Sequence, residues 1–318
     1  MKALDYSGMH APRYMGISTF MRTPFVSDAA DLDIALVGVP YDGGVENRGG
    51  QRHGPREMRN ASTMLRTIHH VTRFNPYENC RIADIGDVPI KAVYDIQGAH
   101  ADITAFFEKV HASGAVPLSA GGDHSISLPI LRAIASDEPV GMIHIDAHTD
   151  TCDEELGERY THGTPFRRAV EEGLLDPERT IQIGIRGAQN STEGWDYSIE
   201  SGMRVIFMEE FVEMGVDRVV TEARRVAGDG PVYLSFDIDG LDPAFAPGTG
   251  TPEIGGLTPI EAQKLVRGLQ GLKFVGADVV EVSPPFDPSG NTALLGATMM
   301  YEILCILADS VSRADGRS

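Results

Sequence analysis

A three-layer α/β/α sandwich around a mainly parallel sheet is the architecture this sequence predicts, on three observations. Short apolar, β-branched runs alternate with helix-like stretches along nearly the whole chain. Those runs are apolar at consecutive positions, as strands covered on both faces must be. Clusters of Asp and His fall just after three of them, at the carboxyl ends of the predicted strands, where ligands collect in such sheets.

The predicted strands, in order, are 32–39, 81–85, 115–120, 140–145, 180–185, 204–208, 232–236 and 274–282. Each is a short run rich in Val, Ile, Leu, Phe or Ala. Helix-like stretches lie near 55–67, 97–113, 125–136, 164–173, 217–227 and 258–270. The segment 292–311 is rich in Leu, Met and Ile but carries Glu302 and Asp309, so it reads as a buried or subunit-contact helix and not as a membrane span. Two long loops, 150–164 and 239–258, leave strands that carry ligand clusters, and loops of that length are commonly functional. No linker or repeat divides the sequence, which predicts one domain over 1–318 with an N-terminal arm of about thirty residues.

The most informative stretch is Asp146-Ala147-His148-Thr149-Asp150, directly after an apolar run. In an extended chain, side chains at every second position point to one side, so these three can converge on a cation cluster. Gly121-Gly122-Asp123-His124 and Asp237-Ile238-Asp239 end two other strands in the same way. A lone Asp or His in such a place is usually a turn cap or a satisfied core residue. Three clusters argue for convergence.

The candidate ligands are His124, Asp146, His148, Asp150, Asp237 and Asp239. Oxygen and imidazole donors with no Cys suit Mn²⁺ or a similar first-row ion better than structural zinc. Four carboxylates carry four negative charges, which two divalent ions balance and one does not. Paired metals lower the pKa of a shared water, so the centre implies hydrolysis.

Composition narrows the setting. The chain has 318 residues, 42% of them hydrophobic, enough for a substantial core. A net charge of −19 argues against nucleic acid or an anionic membrane as partner and favours small, cationic ligands. Cys80, Cys152 and Cys305 are widely spaced and odd in number, so no disulfide framework is expected, and residues 1–22 show no secretory pattern. A reducing, cytoplasmic location follows as an expectation. Phosphate-loop, dinucleotide and nucleophile-elbow motifs are absent from the sequence.

The segments GGDH at 121–124, DAHTD at 146–150 and SFDIDGLDP at 235–243 resemble the signature blocks of the ureohydrolase (arginase/agmatinase) family. The resemblance extends through HGTPFRRA at 162–169, PGTGTPEIGGLT at 247–258 and VEVSPPFD at 280–287. The stretches 208–216 and 276–287 are most similar to its guanidinopropionase branch, with guanidinobutyrase and agmatinase sharing the wider pattern. The resemblance implies an α/β/α fold, two Mn²⁺ ions (Ni²⁺ in some relatives), homo-trimers or hexamers, and release of urea from a guanidino substrate.

It also implies roles. One ion falls to His124, Asp146, Asp150 and Asp237, the other to His148, Asp146, Asp237 and Asp239, with Asp146 and Asp237 as bridges. Asp150 would accept a hydrogen bond from the attacking water, His162 would protonate the leaving amine, and Glu281 would meet a guanidinium. Asp123 and Asp242 read either as turn caps or as supports of the ligands, and Arg167 and Arg168 as solvated helix-surface groups, with contact to a neighbouring subunit as the alternative.

The leading expectation for substrate is a guanidino acid such as 3-guanidinopropionate, with agmatine, 4-guanidinobutyrate and biguanides as alternatives. Two clues oppose each other. The acidic loop 152–158 would repel a carboxylate tail if its side chains face the site, whereas Arg48 could hold one. A metal-dependent deacylase, a silent partner subunit and a requirement for a paralogous chain stand as further alternatives.

Overall fold

The computed structural model describes residues 12–314 and residue 316. Its centre is one eight-stranded sheet in the order β2-β1-β3-β8-β7-β4-β5-β6, parallel throughout. The strands are β1 (Ile34–Val39), β2 (Ile82–Asp87), β3 (Val116–Gly121), β4 (Val140–Ile145), β5 (Leu175–Ile185), β6 (Arg204–Phe207), β7 (Pro231–Asp237) and β8 (Lys273–Val280). The edge strand β6 has four residues, a length that limits unwanted pairing.

Strand parity sorts side chains into two cores. On β1, Ile34 and Leu36 join one apolar cluster while Ala35, Val37 and Val39 join the other. On β4, Ile143 and Ile145 face the first cluster and Val140 and Met142 the second. The first layer is completed by α1 (Gly54–Ser62), α7 (Met208–Met214), α8 (Val216–Ala227), α9 (Pro259–Gly268) and α10 (Asn291–Ala314). The second is completed by α3 (Ile96–Ala112), α4 (Ser127–Ile134) and α5 (Pro165–Glu171). Burial on both faces explains why these strands read as unbroken apolar runs. The short helices α2 (Pro76–Asn79) and α6 (Glu193–Ser201) complete the elements.

The three-layer α/β/α fold is as the sequence predicts, and the differences have local causes. The first helix ends at Ser62, not near 67, because the Ser62 and Thr63 hydroxyls bond back to the Arg59 and Asn60 carbonyls. The strand expected to begin at 180 begins at Leu175 and pairs with β4 through a register break. The helix α6 was not expected: only Gly194 and Ser198 are buried on it, so it shows no apolar stripe. As predicted, 292–311 is a buried helix, part of α10, which packs on α1, α9 and β8. The first eleven residues of the expected N-terminal arm lie outside the described residues.

After β3 the chain crosses over β8 and β7 to form β4, then returns to those central places later. The crevice at the carboxyl ends of β3, β8, β7 and β4 is therefore a topological switch point. All candidate ligands sit there.

Candidate metal centre

Each ligand is placed by a strand end. His124 opens a 3-10 turn after β3, whose cap is Asp123; that carboxylate accepts from the Ser125 and Gly44 amides at 2.9 and 2.7 Å. Asp146, His148 and Asp150 leave β4 on the same parity as His144. Asp237 closes β7, and its side chain accepts from the amide of Asp239, 2.8 Å away.

The six side chains converge. His124 Nδ1 lies 3.1, 2.8 and 3.2 Å from carboxylate oxygens of Asp146, Asp150 and Asp237. His148 Nδ1 lies 3.1 Å from Asp239 and 3.5 Å from Asp146. Asp146 faces both imidazoles, Oδ2 toward His124 and Oδ1 toward His148. Although three oxygens surround it, His124 Nδ1 is buried and on the hydrogen-bond axis of none of them. That is the arrangement of donors around a shared cation, and it fits a metal better than a salt bridge.

Charge points the same way. Burial pushes the Asp237 carboxyl well above the usual range, helped by Asp239 and Asp146, and burial also raises Asp150 and Asp239. Burial alone would lower His124, but the Asp146, Asp150 and Asp237 carboxylates raise it well above an ordinary imidazole. So many buried acids need cations.

Beneath the ligands runs a hydrogen-bonded support that sequence reasoning missed. His124 Nε2 is 2.8 Å from the Ser235 hydroxyl, which donates to Asp278 at 2.7 Å. Tyr233 and Ser127 donate to the other Asp278 oxygen at 2.7 and 2.6 Å. This chain fixes the imidazole tautomer and leaves Nδ1 free to hold a cation. His144 was missed too: its Nε2 is 2.7 Å from Asp146, and Gln182 lies 3.1 Å from its Nδ1. Its place two residues before Asp146 was the available signal.

His162 and Glu281 meet at the edge of the centre. Glu281 is buried at a positive φ of 66° and accepts from the His124 amide at 2.9 Å, while Gln51 donates to its other oxygen at 2.9 Å. His162 Nδ1 lies 3.1 Å from Glu281 and Nε2 3.2 Å from Glu46. Burial would lower His162, but those two carboxylates raise it well above its ordinary value. Asp150, at a φ of 52°, is a second strained residue in the site, and such strain clusters where function demands it.

Comparison with known proteins shows the family. The arginase family model matches residues 32–305. Guanidinopropionase of Pseudomonas aeruginosa is 59% identical over 304 residues, covering 95% of each chain. Guanidinobutyrase of the same organism is 49% identical, covering 96% of this chain and 97% of that one. The solved structure of proclavaminate amidinohydrolase from Streptomyces clavuligerus superposes with a TM-score of 0.91 at 39% identity, over 94% of this chain and all of that one. The chain belongs to the arginase family. With these relatives, it is a hydrolase acting on C–N bonds.

In this arginase-family chain the ligands open into a cavity of about 580 Å³. Its walls include Glu46, Glu154, Glu155 and Glu193, with the amides of Gln189 and Asn190. Among the described lining residues there is no Lys or Arg. Half of the acidic loop thus faces the cavity. Asp153 turns away to pair with Arg168 at 2.6 Å, and Glu158 accepts from the Arg159 and Tyr160 amides. Arg48 does not reach the wall: its guanidinium stacks 4.1 Å from the Phe286 ring and donates to the Pro247 carbonyl. Arg168, expected at a solvated helix surface or a subunit contact, is buried within this chain, paired with Asp153. Asp242 is a turn cap, accepting from the Ala244, Gly255 and Gly256 amides.

Proposed function

We propose that this chain hydrolyses a small guanidino compound to urea and an amine, with two divalent cations held by the six converging side chains. His124, Asp146, Asp150 and Asp237 would hold one ion, and His148, Asp146, Asp237 and Asp239 the other. The observation that carries this reading is the position of Asp146, whose two oxygens each face a different imidazole. When bound, the cations supply a water acidic enough to act as a nucleophile near neutral pH.

The chain's own residues do the rest. Asp150, which lines the cavity beside His124, would accept a hydrogen bond from an attacking water and orient it. Glu281 carries the negative charge that a guanidinium and the His162 imidazolium share. His162 gives a proton to the departing amine nitrogen. Imidazole and carboxylate donors without thiolate support Mn²⁺, with Ni²⁺ as the alternative.

A guanidino acid such as 3-guanidinopropionate is the first reading for the substrate, supported by the guanidinopropionase and guanidinobutyrase relatives. The amides of Gln189 and Asn190 are its carboxylate donors. One observation favours a second reading: an acidic wall without cationic groups suits a neutral or cationic tail, as in agmatine or a biguanide. The test is urea release from a panel of guanidino acids, guanidino amines and biguanides after loading with Mn²⁺ or Ni²⁺. Preference for the acids supports the first reading, and exclusive turnover of cationic tails overturns it. No urea from any of them would end the hydrolase reading for guanidines.

The same reading places one domain in the cytoplasm as a homo-trimer or hexamer. Exposed apolar side chains at Tyr14, Ile17, Phe25 and Ile68 support a contact between copies. Light scattering on the purified chain gives the oligomer number.

A further inference from the structure

We propose that Glu46 is the outer clamp of His162: a positioning residue that holds the ring by Nε2 while Glu281 holds Nδ1, and that releases it when the leaving amine arrives. The inference rests on the hydrolytic reading above. Its geometry is that of an imidazole between two carboxylates, 3.1 Å from Glu281 and 3.2 Å from Glu46. The two clamps differ in freedom. The Glu281 side chain is 1% exposed and tied by Gln51 and the His124 amide, whereas the Glu46 side chain is 51% exposed and lines the cavity.

The two segments carrying the pair are joined by backbone. The His162 amide donates to the Gly44 carbonyl at 3.1 Å, and the Gly44 amide donates to Asp123 at 2.7 Å. Glu46 is therefore delivered to His162 by a loop anchored two residues earlier at Gly44. The charged groups facing His162 are Glu281, Glu46, Asp150 and Asp123, with Glu155 against the neighbouring Gly163. Among these, Glu46 meets Nε2. Its carboxyl is pulled down to about 2, first by the hydrogen bond to His162, so it is ionised whenever the enzyme works.

The proton balance is simple. As the C–N bond breaks, its electron pair goes to the amine nitrogen, which takes the Nε2 proton; the neutral ring keeps its Nδ1–H on Glu281. A proton from solvent then restores Nε2–H and the contact with Glu46. A ring held by Glu281 alone would lose its proton at lower pH.

The test compares wild type, Glu46→Gln and Glu46→Asp, all metal-loaded, by urea release against pH. Glu46→Gln is expected to move the alkaline limb of the kcat profile down by about 1 pH unit, because an opposite charge beside the ring is lost. KM should stay within about twofold while kcat falls above neutrality, and Glu46→Asp should recover most of the limb. An unchanged profile would overturn the clamp. So would a raised KM with an unmoved limb, which would make Glu46 a substrate-tail contact, or loss of metal in Glu46→Gln, which would make it a support of the centre. Failure of the hydrolytic reading itself would look different: the wild type would release no urea.

Discussion

Asp278 is buried inside the sheet and accepts from three hydroxyls, those of Ser127, Tyr233 and Ser235. Through Ser235 it fixes the ring of His124. Asp278→Asn removes the charge that strengthens these bonds and puts an amide N–H against donors. The expected outcome is a metal affinity about 10- to 100-fold weaker, read by Mn²⁺ titration, because supporting partners of ligands cost about that much when lost. At His162 the expectation separates binding from turnover. His162→Ala should keep its metal and lower kcat by about 10²- to 10⁴-fold, the usual worth of a positioned proton donor. Full activity in that variant would remove His162 from the reaction.

At the scale of elements, the end of β3 depends on a close approach. A Cβ at Gly122 would fall far inside contact distance of the Tyr41 carbonyl oxygen, and backbone on both sides leaves no side chain to move. Gly122→Ala is expected to cost about 3 kcal/mol or more in thermal or denaturant unfolding, as strained overpacking does, and to displace His124. A melting curve like wild type would contradict that.

At the β6 edge of the sheet, Arg204 pairs with Glu222 of α8, which also binds Arg225. Those hydrogen bonds, Arg225 first, hold Glu222 down to about 2 from an ordinary 4.5. A depressed carboxylate stabilises the fold above its unfolded value and loses that contribution as pH falls through the folded one. Glu222→Gln should therefore cost about 0.5 to 1 kcal/mol near pH 7, discounted for solvent screening, and the gap to wild type should close between about pH 4.5 and 2. Urea denaturation at several pH values checks it.

Elements also show what the sequence could reveal. Strands β1, β3, β4 and β7 were legible because burial on both faces leaves an apolar run, and the convergence of the candidate ligands because they extend strand parity beyond its end. His144, Ser235 and Asp278 were hidden because each is one polar residue inside such a run, with its partner on another strand. The helix α6 and the clamp at Glu46 were hidden for a related reason. Neither follows a period, and both depend on segments far apart in sequence.

For the molecule as a whole, one sheet brings β3, β8, β7 and β4 side by side and gathers four buried carboxylates at their tips. Keeping so many buried carboxylates ionised side by side is costly without cations, which ties the fold to the chemistry. The apolar helix α10 belongs to the same economy of packing: its Met299, Met300, Ile303, Leu304 and Leu307 are buried against the first core. The most direct measurement is metal content per chain after loading with Mn²⁺ and dialysis. The wild type should retain about two ions, and Asp146→Ala or Asp237→Ala almost none, since each removes a ligand shared by both. A fully active chain holding a single ion, or an Asp146→Ala variant that still holds two, would contradict the dinuclear centre.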